Sequence, residues 1–249
     1  MTAFSNEPDA AESALVLVHA LTQDGNAWQF VGWPGAHTPT IPGHGPGEER
    51  RRSLDDMADE IVRNLPDRFD IVGVAFGGHV AQHVLVRHPN RVRSALLACS
   101  TATVGNPDMM HSRADDARQR GIPAVTEELL ARWFTPAALA ATVPGARYAR
   151  ARLGVMTTEA YALAIEASAG HETTSQLASV TQPVTLVVGL DDHVGRRASE
   201  RMAEQFPQFR TRAIPGPHMI HLEQPDLFRS EIEQHLSWVD SLERAGRPE

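Results

Sequence analysis

Short apolar runs rich in Val, Ile and Leu recur along the chain, each followed by a loop and a longer stretch with apolar residues at helical spacing. Runs without polar alternation mark strands buried on both faces of a parallel sheet. The pattern predicts strands over Ala14 to His19, Phe69 to Val74, Ser94 to Cys99, Val184 to Val188 and Phe209 to Ile214, with a weaker one near His37 to Thr40. Between them, Leu54, Met57, Ile61, Val62 and Leu65 form one stripe, so a helix is expected over Leu54 to Leu65 with Ser53 as its N-cap. Gly78 to His88, Arg196 to Gln205 and Pro225 to Leu242 read as helices on the same grounds. The thirteen residues before the first strand show no alternation, so an N-terminal hairpin is expected to be missing or very short.

From about Pro107 to Gln182 the strand–helix alternation stops. "DMMHSRADDARQR", "AVTEELLARWF", "GARYARARLGVM" and "TTEAYALAIEASAG" all favour helix, and Pro123, Pro136 and Pro144 punctuate them as helix boundaries. The expected organisation is therefore a core in two parts, residues 1–106 and 183–249, with a helical insertion at 107–182. Because the insertion follows the carboxyl end of a strand, it would hang over the crevice where open α/β sheets bind ligands, as a lid.

Composition changes this picture little. A length of 249 residues with 42% hydrophobic residues suits one α/β domain with an inserted part. The formal net charge of −8 and the lack of a sustained basic block argue against nucleic acid or an anionic membrane as partner; Arg50, Arg51 and Arg52 follow Glu48 and Glu49 and read as a solvated stretch. No apolar run reaches membrane-spanning length, and the opening "MTAFSNEPDAAES" has no basic segment leading into an apolar one, so neither an anchor nor a secretory leader is expected. Cys99 is the only cysteine, which excludes an intrachain disulfide and a CxxC metal site and fits a cytoplasmic protein.

The chemistry gathers around "DIVGVAFGGHVAQHV". Gly73-Val74-Ala75-Phe76-Gly77 matches G-x-S-x-G everywhere except at the serine, and it stands where that motif belongs, after a buried run and before a helix. Such an elbow predicts further parts. One oxyanion-binding N–H should come from the residue after the nucleophile, Phe76, and another from the loop after an earlier strand, where Leu21 in "LVLVHALTQDGNAW" is best placed. An acid and then a histidine should follow. "GLDDHV" supplies Asp192, preferred over Asp191 by its spacing from Gly189. "IPGPHMIHLEQPDLF" supplies His218, preferred over His221 because it directly follows the loop Pro215-Gly216-Pro217.

With these residues in place the chain resembles the α/β-hydrolase superfamily over nearly its whole length, through "VLVHA", "PGHG" at Pro42 to Gly45, the elbow, "GLDDHV" and "PHMIHLEQPDLF". The resemblance implies a mostly parallel, doubly wound sheet and hydrolysis of a small ester through an acyl-enzyme, without cofactor. Ala20 departs from the glycine that usually follows the histidine of "VHA". Within the superfamily, "ARWFTP" at Ala131 to Pro136 and "EAYALAIEASAGHE" resemble 3-oxoadipate enol-lactonases, which implies a small lactone or ester carrying a carboxylate. In that reading Arg132 pairs with the carboxylate and Trp133 walls the pocket. The alternative places Arg132 on an outer surface and packs Trp133 between insertion and core.

Alanine at position 75 leaves three explanations open: a working serine hydrolase disarmed by Ser→Ala engineering, a natural enzyme that uses His218 as base without a serine, or a binding protein. An elbow holds its central residue in a strained conformation that chemistry justifies, and here only one oxygen atom is missing from a full set, which favours the first. Other residues read as structural. His79 and His83 in "HVAQH" are spaced i, i+4, but no acid accompanies them, so core packing and not a metal is expected. His19 is expected to bond backbone, His44 to sit in a loop, and Cys99 to be a small buried side chain. Met109, Met110 and Met156 suit either an adaptable pocket wall or insertion–core packing.

Overall fold

The computed structural model describes residues 13–45 and 47–246; the expectation for an N-terminal hairpin lies outside them. Five strands form one sheet in the order β1 (Ala14–Val18), β2 (Phe69–Val74), β3 (Val92–Ala98), β4 (Val184–Gly189) and β5 (Phe209–Ile214), all parallel. Every residue of β2 and β4 is buried, which explains why these runs carry no polar alternation. β5 lies at the sheet edge and exposes most of its side chains.

The weak strand expected near His37 reduces to a single bridge. His37 pairs in parallel with Val16, donating from its N–H to Leu15 O at 2.8 Å and accepting from Leu17 N–H at 2.8 Å. Pro39 and Pro42, which lack a donor, end the pairing there. Short as it is, the bridge gives β1 a neighbour on each side, so the chain leaves β1 in one direction and returns in the other. The crevice at such a switch point is where open α/β sheets place ligands.

Helix boundaries follow local chemistry. α1 (Leu54–Val62) starts from Ser53, whose Oγ accepts from Asp56 N–H at 3.1 Å while Asp56 accepts from Ser53 N–H at 2.9 Å, a reciprocal cap. It stops three residues short of the expected Leu65, because Asn64 and Leu65 donate three residues back in a tightened last turn. α2 (Phe76–Arg87) begins two residues earlier than expected, directly on Ala75. β3 begins at Val92, two residues early, where a register shift opposite Phe69 and Asp70 extends its pairing.

Between β3 and β4 run α3 (Pro107–Arg120), α4 (Ile122–Trp133), α5 (Pro136–Ala140), α6 (Pro144–Val155), α7 (Thr158–Ala169) and α8 (Thr174–Leu177). Proline stands in the first turn of α3 to α6, where its missing N–H costs nothing. α3 packs on α7 and α4 on α6. An antiparallel bridge between Thr103 and Glu172 holds the two ends of this segment together. α9 (Arg196–Ala203), α10 (Ile220–Glu223) and α11 (Pro225–Ala245) complete the chain. Among the described residues, no helix is long and apolar enough to cross a membrane.

Candidate active site

The turn after β2 is set by close backbone approach. A side chain on Gly77 would drive its Cβ into the carbonyl oxygens of Val18 and His19, and one on Gly73 would meet the Gly77 carbonyl. Strand and helix can therefore converge only with hydrogen at both positions, and Ala75 at the vertex takes φ +52 and ψ −114. A non-glycine residue in such a conformation carries about 1–3 kcal/mol of strain, which its surroundings must hold. They do so through Ala75 N–H to Ala98 O at 2.9 Å and through Gly78 and His79 N–H to Ala75 O at 2.9 and 3.1 Å.

Ala75 borders a cavity of about 360 Å³, the size of a small-molecule site. Leu21, Phe76, Cys99 and His218 border it as well. Among the described residues, no protein group accepts a hydrogen bond from the N–H of Leu21 or of Phe76. The Leu21 loop is pinned from below by His19, which donates from Nδ1 to Ala20 O at 2.8 Å and accepts at Nε2 from Ile41 N–H at 2.8 Å. Burial pushes His19 down to about 3, so it is a neutral strut.

His218 and Asp192 meet from the ends of neighbouring strands. His218 Nδ1 donates to Asp192 Oδ2 at 3.1 Å, and the acid's other oxygen accepts from the N–H of Val194 at 2.8 Å and of Gly195 at 3.3 Å. Burial by itself would raise the carboxyl pKa; the hydrogen bond and charge of His218 and the Val194 N–H hold it below the usual carboxylate range. Asp191 is exposed, whereas Asp192 is buried. His221 is wholly buried, bonds Gln23 Oε1 at 2.9 Å and stays off the cavity. The geometry thus separates each pair of neighbours that the sequence offered.

The consensus pattern of the alpha/beta hydrolase family matches residues 15–231. The chain belongs to the alpha/beta hydrolase family. Relatives of this family member include 3-oxoadipate enol-lactonase 2 of Acinetobacter baylyi, 25% identical over 72% of this chain and 69% of that one. Another is the pimeloyl-[acyl-carrier protein] methyl ester esterase of Nitrosomonas europaea, 26% identical over 95% of this chain and 96% of that one. Among solved structures, the enol-lactonase of Burkholderia xenovorans LB400 superposes with a TM-score of 0.84 at 20% identity, covering 93% of this chain and 94% of that one; at this identity the likeness is one of fold.

In this alpha/beta hydrolase the outer cavity wall comes from the helical segment between β3 and β4. Met109, Met110, Arg113, Arg132, Ile165 and Ser168 face it. Arg132 lines the cavity, and its guanidinium is pushed down by burial and then by neighbouring Arg113. Trp133 follows the second of its two readings, packing and not pocket wall: it is buried, it is absent from the cavity lining, and its carbonyl accepts from Met219 N–H at 3.0 Å. It sits next to Arg132 on a helix, about 100° further round, so the two side chains face different ways and the indole packs into the core. Met156 likewise packs against the core and not on the cavity.

Among the lining residues that sequence reading did not assign to the site, Arg113, His79 and Cys99 carry polar or ionisable groups. Arg113 lies on α3, whose composition is too polar to show which face turns inward. His79 borders the cavity with its ring stacked on His171 at 3.9 Å, while His83 pairs with Asp55 at 2.6 Å and with His171 at 3.2 Å. The pair in "HVAQH" is thus divided between cavity wall and ion pair. Cys99, at φ +47 just past β3, lies beside Asp192 and His218; burial, then the Asp192 charge, raises its thiol well above the ordinary value. Sequence separation of more than ninety residues hides that neighbourhood. A larger polar groove of about 920 Å³ opens at the opposite, amino ends of β1 and β2 and holds none of these residues.

Proposed function

We propose that this chain carries the site of a serine-type hydrolase for a small lactone or carboxylic ester, with alanine standing where the nucleophile acts. The observation that carries the reading is His218, held by Asp192, facing the same cavity as a strained, non-glycine residue at the elbow vertex. With a serine hydroxyl at position 75, His218 would take its proton as Oγ attacks the acyl carbon, and Asp192 would keep Nδ1 protonated and stabilise the imidazolium. The free N–H groups of Leu21 and Phe76 would bind the developing oxyanion. His218 would return the proton to the leaving alcohol, then activate the water that releases the acid.

Without Oγ no acyl-enzyme forms, so the chain as written has almost no ester hydrolase activity; by analogy with serine proteases the loss is on the order of 10⁴ to 10⁶ in turnover. Strain at φ +52 supports a site whose serine was replaced late, by Ser→Ala exchange, because an alanine vertex gains nothing from it. Residues 107–182 act as a lid over the two core parts, 1–106 and 183–249. Arg132 selects substrates with a carboxylate on the acyl side, through charge-assisted hydrogen bonds. The single cysteine fits work in a reducing compartment, the cytoplasm.

The deciding experiment compares this chain with Ala75→Ser on neutral esters, carboxylate-bearing esters and enol-lactones under identical conditions. A gain of several orders of magnitude is expected, largest on the carboxylate-bearing substrates. No gain, with the fold intact by circular dichroism, would overturn the reading and leave a base-only enzyme or a binding protein.

A further inference from the structure

The catalytic pair has a third polar neighbour that the reaction above does not use. Cys99 follows β3, Asp192 follows β4 and His218 follows β5, so three adjacent parallel strands deliver three different donor types to one point at the carboxyl edge of the sheet. One ligand atom from each, Sγ, a carboxylate oxygen and an imidazole nitrogen, lies within 4.8 Å of the other two. We propose that this trio is a zinc(II) site, and that zinc bound there blocks His218.

Several features fit that ion in particular. Two donors held about 2.0–2.1 Å from a tetrahedral zinc lie roughly 3.3 Å apart, close to the 3.1 Å that separates His218 Nδ1 from Asp192 Oδ2. A sulfur, an imidazole and a single carboxylate oxygen suit zinc, whereas calcium and magnesium call for oxygen donors throughout. Asp192 already has its Oδ1 fixed by two backbone N–H groups, the kind of outer support that orients a ligating carboxylate, and this leaves Oδ2 to turn toward a cation. Sγ lies 3.9 Å from the Pro217 carbonyl and also leans on the Asp192 carboxylate, and since a thiol is a weak donor, no strong bond has to be broken to recruit it. Cys99 and Asp192 are buried and His218 is 11% exposed, and the cavity that Cys99 and His218 border gives an ion a path in and a water a fourth position.

The step balances. The Cys99 S–H bond breaks, a zinc–sulfur bond forms, and the proton passes to water. His218 stays neutral and moves its proton from Nδ1 to Nε2, freeing the Nδ1 lone pair for the metal. Zn²⁺, one thiolate and one carboxylate sum to zero, so a buried site gains no net charge. The imidazole nitrogen left facing the substrate then carries a hydrogen and has no lone pair with which to take the nucleophile's proton. The site is distinct from the i, i+4 histidines, whose members are engaged by His171 and Asp55.

The test needs no ester activity. Cobalt(II), as a spectroscopic stand-in for zinc, is titrated into the chain as it exists. One equivalent is expected to give a thiolate-to-cobalt charge-transfer band that zinc abolishes and that Cys99→Ala lacks. Competition against a chromogenic chelator is expected to show that Cys99→Ala weakens zinc binding by about 100-fold or more, beyond what loss of an outer partner costs. In the Ala75→Ser background, stoichiometric zinc is expected to stop hydrolysis and a chelator to restore it, while the same protein with Cys99→Ala hydrolyses ester but ignores zinc. Absence of the thiolate band, or zinc affinity unchanged by Cys99→Ala, would overturn the proposal and assign any bound metal to surface histidines. If Ala75→Ser is inactive, the proposed hydrolysis fails while the cobalt titration still decides this site.

Discussion

The two sides of the cavity are built by different means. On the Ala75 side, position is fixed by backbone: Gly73 and Gly77 permit the approach, Ala75 is locked at a strained vertex, and Asp192 is held by two N–H groups before His218 is counted. At the outer side, side chains of α3, α4 and α7 form the wall on helices that touch the sheet little, and Arg113 and Arg132 face it among methionines and Ile165. Backbone constraint allows few residues at few spacings; a side-chain wall allows many. Chemistry and selectivity should therefore respond to substitution differently.

The largest effect should come from the acid. In the Ala75→Ser background, Asp192→Asn is expected to lower turnover by about 10⁴ with little change in KM, because the imidazole then loses its correct tautomer; steady-state kinetics on one activated ester would show it. A loss of tenfold or less would mean that the Ala75 side is not held by this pair.

Acid comes next. His19, His221 and His235 are pushed down to about 3 and His171 to about 4, in each case by burial first, and burial likewise depresses His44 and His79. These groups are neutral in the fold and take a proton on unfolding once the pH drops below about 6.5. Their contribution is thus complete above that pH and is lost as pH falls toward 3, at about 1.4 kcal/mol per pH unit for each histidine. Stability is therefore expected to fall steadily as the pH drops below about 6.5 and to be lost in mild acid. None of the six lies within α3 to α7. A tryptophan-fluorescence midpoint below pH 4 would show that these histidines are already protonated in the folded core.

Gly77→Ala should cost about 3 kcal/mol, since its methyl group meets two carbonyl oxygens that cannot move without the β1 edge. Chemical denaturation of this variant beside Met109→Ala, which alters an exposed position on α3 and should cost under 1 kcal/mol, sharpens the contrast between the two sides. Arg132→Ala is expected to act on recognition alone. In the Ala75→Ser background it should raise KM for a carboxylate-bearing ester by roughly 10- to 100-fold and leave a neutral ester nearly untouched. Equal effects on both esters would place Arg132 in packing and not in recognition.

The same division explains what could be read without coordinates. Strand positions and the elbow were legible because buried parallel strands leave unbroken apolar runs and because only glycine fits where backbones touch. Asp192 and His218 were legible as positions after strands; the two side chains meet at 3.1 Å, while Asp191 is exposed and His221 bonds Gln23. Trp133 was left between pocket wall and packing because sequence alone does not fix which way each side chain turns; adjacent helical residues point about 100° apart, so one cavity residue does not bring its neighbour. Cys99 was missed because its neighbours are distant in sequence and Arg113 because α3 is too polar to show its inward face, and the strand near His37 shrank to one bridge because Pro39 and Pro42 after it withhold the donors pairing needs.

The bridge between Thr103 and Glu172 has a practical consequence. A polypeptide that departs and re-enters within one strand-pair distance makes no demand on what lies between, because closing a longer or shorter excursion changes the entropic cost only logarithmically. The seam is thus a natural cut-and-paste point: a foreign helical unit with adjoining ends can be spliced there, giving the same cavity a new outer wall without altering a residue of the sheet.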